Sequence, residues 1–156
     1  MMKIRIVCVG KLKKTYLEAA EQDYSRLLGR YCSLEIVQLR EEAPKGTGPK
    51  AEQAAREVEA QRILSRLDGF VVCLDPRGQR MTSERFAAFV DRMCAEGRSL
   101  CFVIGGSTGL ADAVRARSDM TLSLSDMTMP HHLFRIVLLE QIYRAFKIAR
   151  GETYHK

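Results

Sequence analysis

The sequence predicts an α/β fold, with a mostly parallel sheet and helices on both faces. Three observations carry that reading. Apolar residues switch repeatedly between a two-residue and a 3.6-residue period. The runs Phe70-Val71-Val72-Cys73-Leu74 and Leu100-Cys101-Phe102-Val103-Ile104 are apolar throughout, as strands covered on both faces must be. A helical stretch follows each strand, as crossovers between parallel strands require.

The elements follow in chain order. Ile4–Val9 is rich in β-branched residues and stops at Gly10, which predicts a buried strand. Leu17, Ala20, Tyr24, Leu27 and Leu28 recur at helical spacing, with Thr15 as the expected N-cap and Gly29 as the stop. Residues 34–39 largely alternate apolar and polar, and predict a second strand. Residues 41–50 hold two prolines and two glycines and predict a loop. Ala60, Ile63, Leu64 and Leu67 form one stripe of a charged helix that ends at Asp68-Gly69. Phe70–Leu74 is the third strand, with Asp75-Pro76-Arg77-Gly78 expected to close it as a turn. Phe86, Phe89, Val90 and Met93 mark the next helix, which Gly97 stops. Leu100–Ile104 is the fourth strand. A short helix over 111–117, a short strand over 120–124, a loop over 125–130 and a long helix over 132–149 complete the chain.

At 156 residues the chain predicts one domain spanning 1–156. A chain of this size buries about two-thirds of its unfolded surface, enough for a substantial core. No run of 18 apolar residues occurs, so no membrane span is expected. The apolar stretch near the N-terminus is short, carries Arg5 and lacks a small-residue cleavage site, so it does not read as a signal peptide. The five cysteines are odd in number and include no C-x-x-C pair, which predicts buried, reduced thiols in a cytoplasmic protein. His131, His132 and His155 do not combine with them at metal-ligand spacing, so no metal site is expected. A net charge of +6 and an isoelectric point near 9.2 favour an anionic partner, with RNA the foremost candidate.

Four segments could carry chemistry. Gly105-Gly106-Ser107-Thr108-Gly109 follows a buried strand, where open α/β sheets bind ligands. It fits neither the dinucleotide fingerprint nor a P-loop, and on its own reads equally well as a tight strand-to-helix turn. In 122–132, two methionines flank Thr128 before Pro130; they could line an apolar pocket or fill core. The last helix is apolar on more than one face. A second subunit could cover the extra face, or the helix could be sandwiched within its own chain. The tail ends Tyr154-His155-Lys156, combining a stacking ring, an imidazole and a cation.

Taken together, Val103–Leu110, Leu122–His131, Glu140–Ile148 and Tyr154-His155 resemble, in the same order, the SPOUT-class rRNA pseudouridine N3-methyltransferases of the bacterial large ribosomal subunit. Ile6–Leu12 and the length are similar too. The resemblance implies a Rossmann-like sheet with a C-terminal trefoil knot, an S-adenosylmethionine cofactor, a homodimer and 23S rRNA within the ribosome as partner. Carried onto this sequence, it implies cofactor contacts at Leu74, Gly105, Leu124, Ser125, Asp126, Met127, Thr128 and Met129. It also points to Arg135, Arg144, Tyr154 and His155 as catalytic candidates without dividing the roles among them. Two other classes remain open on residues alone: a nucleotide-binding α/β protein, and a non-catalytic RNA-binding module.

Overall fold

In the computed structural model, which describes residues 1–156, five strands form one sheet in the order β2-β1-β4-β3-β5. The strands are β1 (Met2–Val9), β2 (Cys32–Leu39), β3 (Phe70–Arg80), β4 (Leu100–Ile104) and β5 (Met120–Ser123). Every strand pair is parallel. The helices are α1 (Thr15–Leu28), α2 (Pro49–Leu64), α3 (Ser83–Ala95), α4 (Asp112–Arg117) and α5 (His131–Ala149).

Strand periodicity divides the core in two. Ile4, Ile6, Cys8, Leu100, Phe102 and Ile104 point to one face and pack with α1, α3 and α5. Val7, Val9, Cys101 and Val103 point to the other and pack with α2 and α4. Alternate residues of one strand therefore belong to different cores, which explains why β1 and β4 carry so few polar residues.

Helix starts and strand ends adjust several expectations. Thr15 is the first residue of α1, and Lys14 occupies the cap without a side-chain bond. Pro49 opens α2, where its missing N–H costs nothing. Asp75-Pro76-Arg77-Gly78 does not end β3. Leu74 and Gln79 both pair with Leu122, so these four residues bulge out and the strand resumes. Gly78 makes this possible: a Cβ there would lie 2.7 Å from the backbone of Thr121 and Leu122. Cys94 departs from the expected burial and is exposed, whereas Cys8, Cys32, Cys73 and Cys101 are buried free thiols. Helix α5 lies against the sheet with α1 and α3, burying Leu138, Leu139, Ile142, Tyr143, Ala145 and Phe146 within the chain. Most of its apolar surface thus needs no second subunit. Leu133, 38% exposed, marks what is left over.

Candidate cofactor and substrate site

The carboxyl ends of β3, β4 and β5 meet the start of α5 around a cavity of about 470 Å³, within the range of sites for drug-sized ligands. Leu74, Asp75 and Pro76 come from the end of β3 proper and its bulge. Ile104, Gly105, Gly106, Ser107 and Gly109 come from β4 and its turn. Leu124, Ser125, Thr128, Met129 and Pro130 come from the loop after β5, and His131 and Phe134 from α5. Six of the eight expected cofactor residues therefore share one cavity: Leu74, Gly105, Leu124, Ser125, Thr128 and Met129.

Asp126 and Met127 lie outside this lining. The Asp126 carboxylate turns to the exposed Arg80, at 2.8 Å, and Met127 is 78% exposed. The loop reverses direction through Ser125, whose carbonyl accepts from the Ser123 hydroxyl at 3.1 Å while its own hydroxyl accepts from the Met127 N–H at 2.9 Å. That turn directs residues 126 and 127 outward and returns Thr128 and Met129 to the cavity.

Gly105 is required by its surroundings. A Cβ there would lie 2.9 Å from the carbonyl carbon and oxygen of Gly109, so the glycine allows its own turn to fold back on itself. Gly109 supplies the positive φ, at +83°. Asp75 was not singled out in the sequence, although it lines the cavity and is nearly buried. Burial alone would raise its pKa. Hydrogen bonds from the Arg77 side chain and N–H, with the Arg77 and Arg115 charges, more than offset burial and hold the carboxyl below its ordinary range.

The four expected catalytic residues divide into two places. Arg135 is 1% exposed. Its guanidinium donates to the Gly10 carbonyl at 2.7 Å, to Gln38 at 3.0 Å and to Glu21 at 3.1 Å. It ties α5 to the end of β1, to β2 and to α1. Arg144, Tyr154 and His155 form a separate cluster at the far end of α5. Arg144 pairs with Glu140 at 2.5 Å and lies 4.8 Å over the Tyr154 ring. The Tyr154 hydroxyl donates to Glu140 at 3.1 Å. His155 meets Arg144 through Nδ1 at 3.1 Å and Glu84 through Nε2 at 2.7 Å. A neutral ring with its proton on Nε2 satisfies both contacts. Burial, then the Glu140 charge, pushes the Tyr154 phenol up to about 12, so Tyr154 remains a donor.

This architecture defines an α/β protein with a ligand cavity at the carboxyl edge of its sheet and, at the far end of its longest helix, a separate polar aromatic cluster formed with the tail. Residues 2–155 match the family described as predicted SPOUT methyltransferase. Relatives named ribosomal RNA large subunit methyltransferase H are 47% identical in Clostridium acetobutylicum and 48% identical in a Clostridium botulinum type B strain. Each alignment covers 99% of this chain and all of the relative. Two solved structures share the fold at low identity. A probable methylase family protein from Haemophilus influenzae is 13% identical with a TM-score of 0.56, over 98% of this chain and 70% of that one. A methylase family protein from Neisseria gonorrhoeae is 15% identical with a TM-score of 0.58, over 91% and 82%. The chain belongs to the SPOUT methyltransferase family.

The cavity suits S-adenosylmethionine, the cofactor that the resemblance implies. Apolar walls from Leu74, Ile104, Leu122 and Leu124 can take an adenine ring, and the glycine turn and the 124–129 loop bring backbone groups to its edge.

Proposed function

We propose that the protein methylates N3 of a pseudouridine in 23S rRNA of the large ribosomal subunit, acting as a cytoplasmic homodimer with residues 1–156 as one catalytic domain. The carrying observation is the cavity shared by six cofactor residues from three strand ends. The relatives' name supplies the substrate class. The family implies that the chain through this cavity is knotted.

Leu74, Gly105, Leu124, Ser125, Thr128 and Met129 would hold S-adenosylmethionine, with Asp126 and Met127 shaping their loop from outside. The cofactor supplies an electrophilic methyl group. The chain's own residues must hold the uracil ring in line with it and stabilise the imide nitrogen as its proton leaves. Alignment alone can lower such a barrier substantially. The tail cluster suits the rest of the task. Tyr154 offers a ring for the base to stack on, Arg144 a positive charge for the anionic imide, and His155 a proton acceptor whose other nitrogen Glu84 can hold. Arg135 fixes the position of α5.

Within one chain, cavity and tail cluster sit at opposite ends of α5. A homodimer joined through the outer face of α5 around Leu133, Phe134 and Val137 would bring one subunit's tail to the other's cavity. Lys11, Lys13 and Lys14 are exposed beside the end of β1, and suit RNA phosphates. The test uses ribosomes from a strain lacking this methylation, incubated with protein and labelled S-adenosylmethionine. Label in 23S rRNA supports the function. A protein that binds the cofactor and leaves every RNA unlabelled contradicts it.

A further inference from the structure

The geometry points to Glu41 as a residue that selects the cationic methyl donor over its neutral demethylated product. The inference rests on the reading of the cavity as the S-adenosylmethionine site.

Two carboxyl groups pack against the glycine turn without lining the cavity themselves. Glu41 lies two residues beyond β2. Its Oε1 accepts the Ser107 hydroxyl at 2.9 Å and the Ser107 N–H at 3.3 Å. Glu59, on α2, approaches from beside it. A Cβ on Gly106 would stand 3.3 Å from Glu41 Oε1 and 3.3 Å from Glu59 Oε2, so both carboxyls converge on one glycine of the cavity wall. Glu59 is 2% exposed; one oxygen accepts the Glu42 N–H at 2.9 Å and the other has no partner. Burial, with the Glu41 and Glu42 charges, raises the Glu59 pKa against the pull of the Glu42 N–H and Arg62.

Glu41 is different. Two donors hold it, and it reaches solvent in part. On its other side stand His131 and His132. His131 Nε2 and Glu41 Oε2 lie 3.3 and 3.6 Å from the same point, the Cβ position of Gly10. Burial favours the neutral form of both rings. The neighbouring Arg62 is committed to Glu42, at 2.8 Å. Glu41 therefore places a negative charge behind the turn with no Arg or Lys bonded to it; the Glu42–Arg62 pair and the Arg135 and Lys13 charges near the two rings are the other charges around it. A negative charge behind a thin wall favours a cation in the cavity. S-adenosylmethionine carries a sulfonium charge that S-adenosylhomocysteine lacks, so Glu41 tightens donor relative to product and favours exchange after turnover.

Glu41→Gln keeps an acceptor for Ser107 and removes the charge. Calorimetry with wild type and variant, using S-adenosylmethionine and S-adenosylhomocysteine, reads the effect directly. Donor binding should weaken by about three- to tenfold, as expected for a charge acting at nanometre range in a mixed dielectric, while product binding changes less than about twofold. Equal weakening of both ligands, or of neither, overturns the selection and leaves Glu41 a support for the turn or a bystander. A wild type that binds neither ligand overturns the cofactor reading instead. A second measurement needs no ligand. Titration of His131 followed by NMR should give a lower pKa in the variant, because a neighbouring negative charge is gone. An unchanged pKa shows that no charge was there.

Discussion

His131 lines the cavity at the carboxyl ends of the strands, and Arg144, thirteen residues further along the same helix, grips the tail about 20 Å away at 1.5 Å per residue. A side chain cannot span that gap. Either the tail moves, or a second chain completes the site.

Mixing two inactive variants separates these outcomes. Gly105→Val removes the cavity from one chain, and deletion of residues 151–156 removes the tail from the other. Mixed dimers should recover up to about a quarter of wild-type methylation, since each retains one intact pairing of cavity and tail. The deleted protein alone should bind S-adenosylmethionine normally and methylate at least about 10²-fold more slowly. No recovery on mixing, with dimers verified by sedimentation, contradicts a shared site.

Gly105→Val should abolish cofactor binding for a reason internal to the turn. Its Cβ would sit 2.9 Å from the Gly109 carbonyl, forcing the 105–109 segment open. The loss of stability should be about 1–3 kcal/mol, the usual range for overpacking, with cofactor affinity down by far more. Unchanged affinity in a folded variant removes Gly105 from the site.

Arg135→Met tests a position that the resemblance places among the catalytic candidates. The buried guanidinium holds Gly10, Gln38 and Glu21, and its removal strands them. Unfolding should become easier by about 3 kcal/mol, the scale for breaking a buried charged contact. A variant with unaltered stability and no methyl transfer would instead support Arg135 as a catalytic residue.

Glu59→Gln should change how stability depends on pH. Burial, then the Glu41 and Glu42 charges, raises the Glu59 pKa in the folded protein, partly countered by the Glu42 N–H and Arg62. The folded state then holds a proton that the unfolded chain releases above about pH 4.3. The wild type therefore loses stability as pH rises from there through the folded pKa, and Gln at 59 removes that contribution. Urea unfolding between acid and neutral pH should show a shallower decline in the variant. Parallel pH curves would mean that Glu59 is ionised when folded.

Strand period and apolar runs made the sheet legible. Leu100–Ile104 is a strand with the expected ends, because five consecutive apolar residues admit few other places in a fold. The bulge at Asp75–Gly78 was not legible, because the four residues have turn chemistry and their continuation depends on Gly78 meeting the backbone of Leu122. The cavity loop was largely legible through resemblance, but the Ser125 turn that sends Asp126 and Met127 outward is a three-dimensional detail. Glu41 left no signal. It sits in a polar loop, and its partner Ser107 is distant in sequence. A helical residue such as Arg135 reveals its spacing in sequence, but not that its neighbours are the carbonyl of Gly10 and the side chain of Gln38.

The most direct test of the account is the position of the transferred methyl group. Unmethylated large subunits or ribosomes, incubated with the protein and labelled S-adenosylmethionine, should yield 23S rRNA whose digest contains a single labelled nucleoside, a pseudouridine methylated on N3 of its ring. A label on ribose, on another ring position or on a different base contradicts the account.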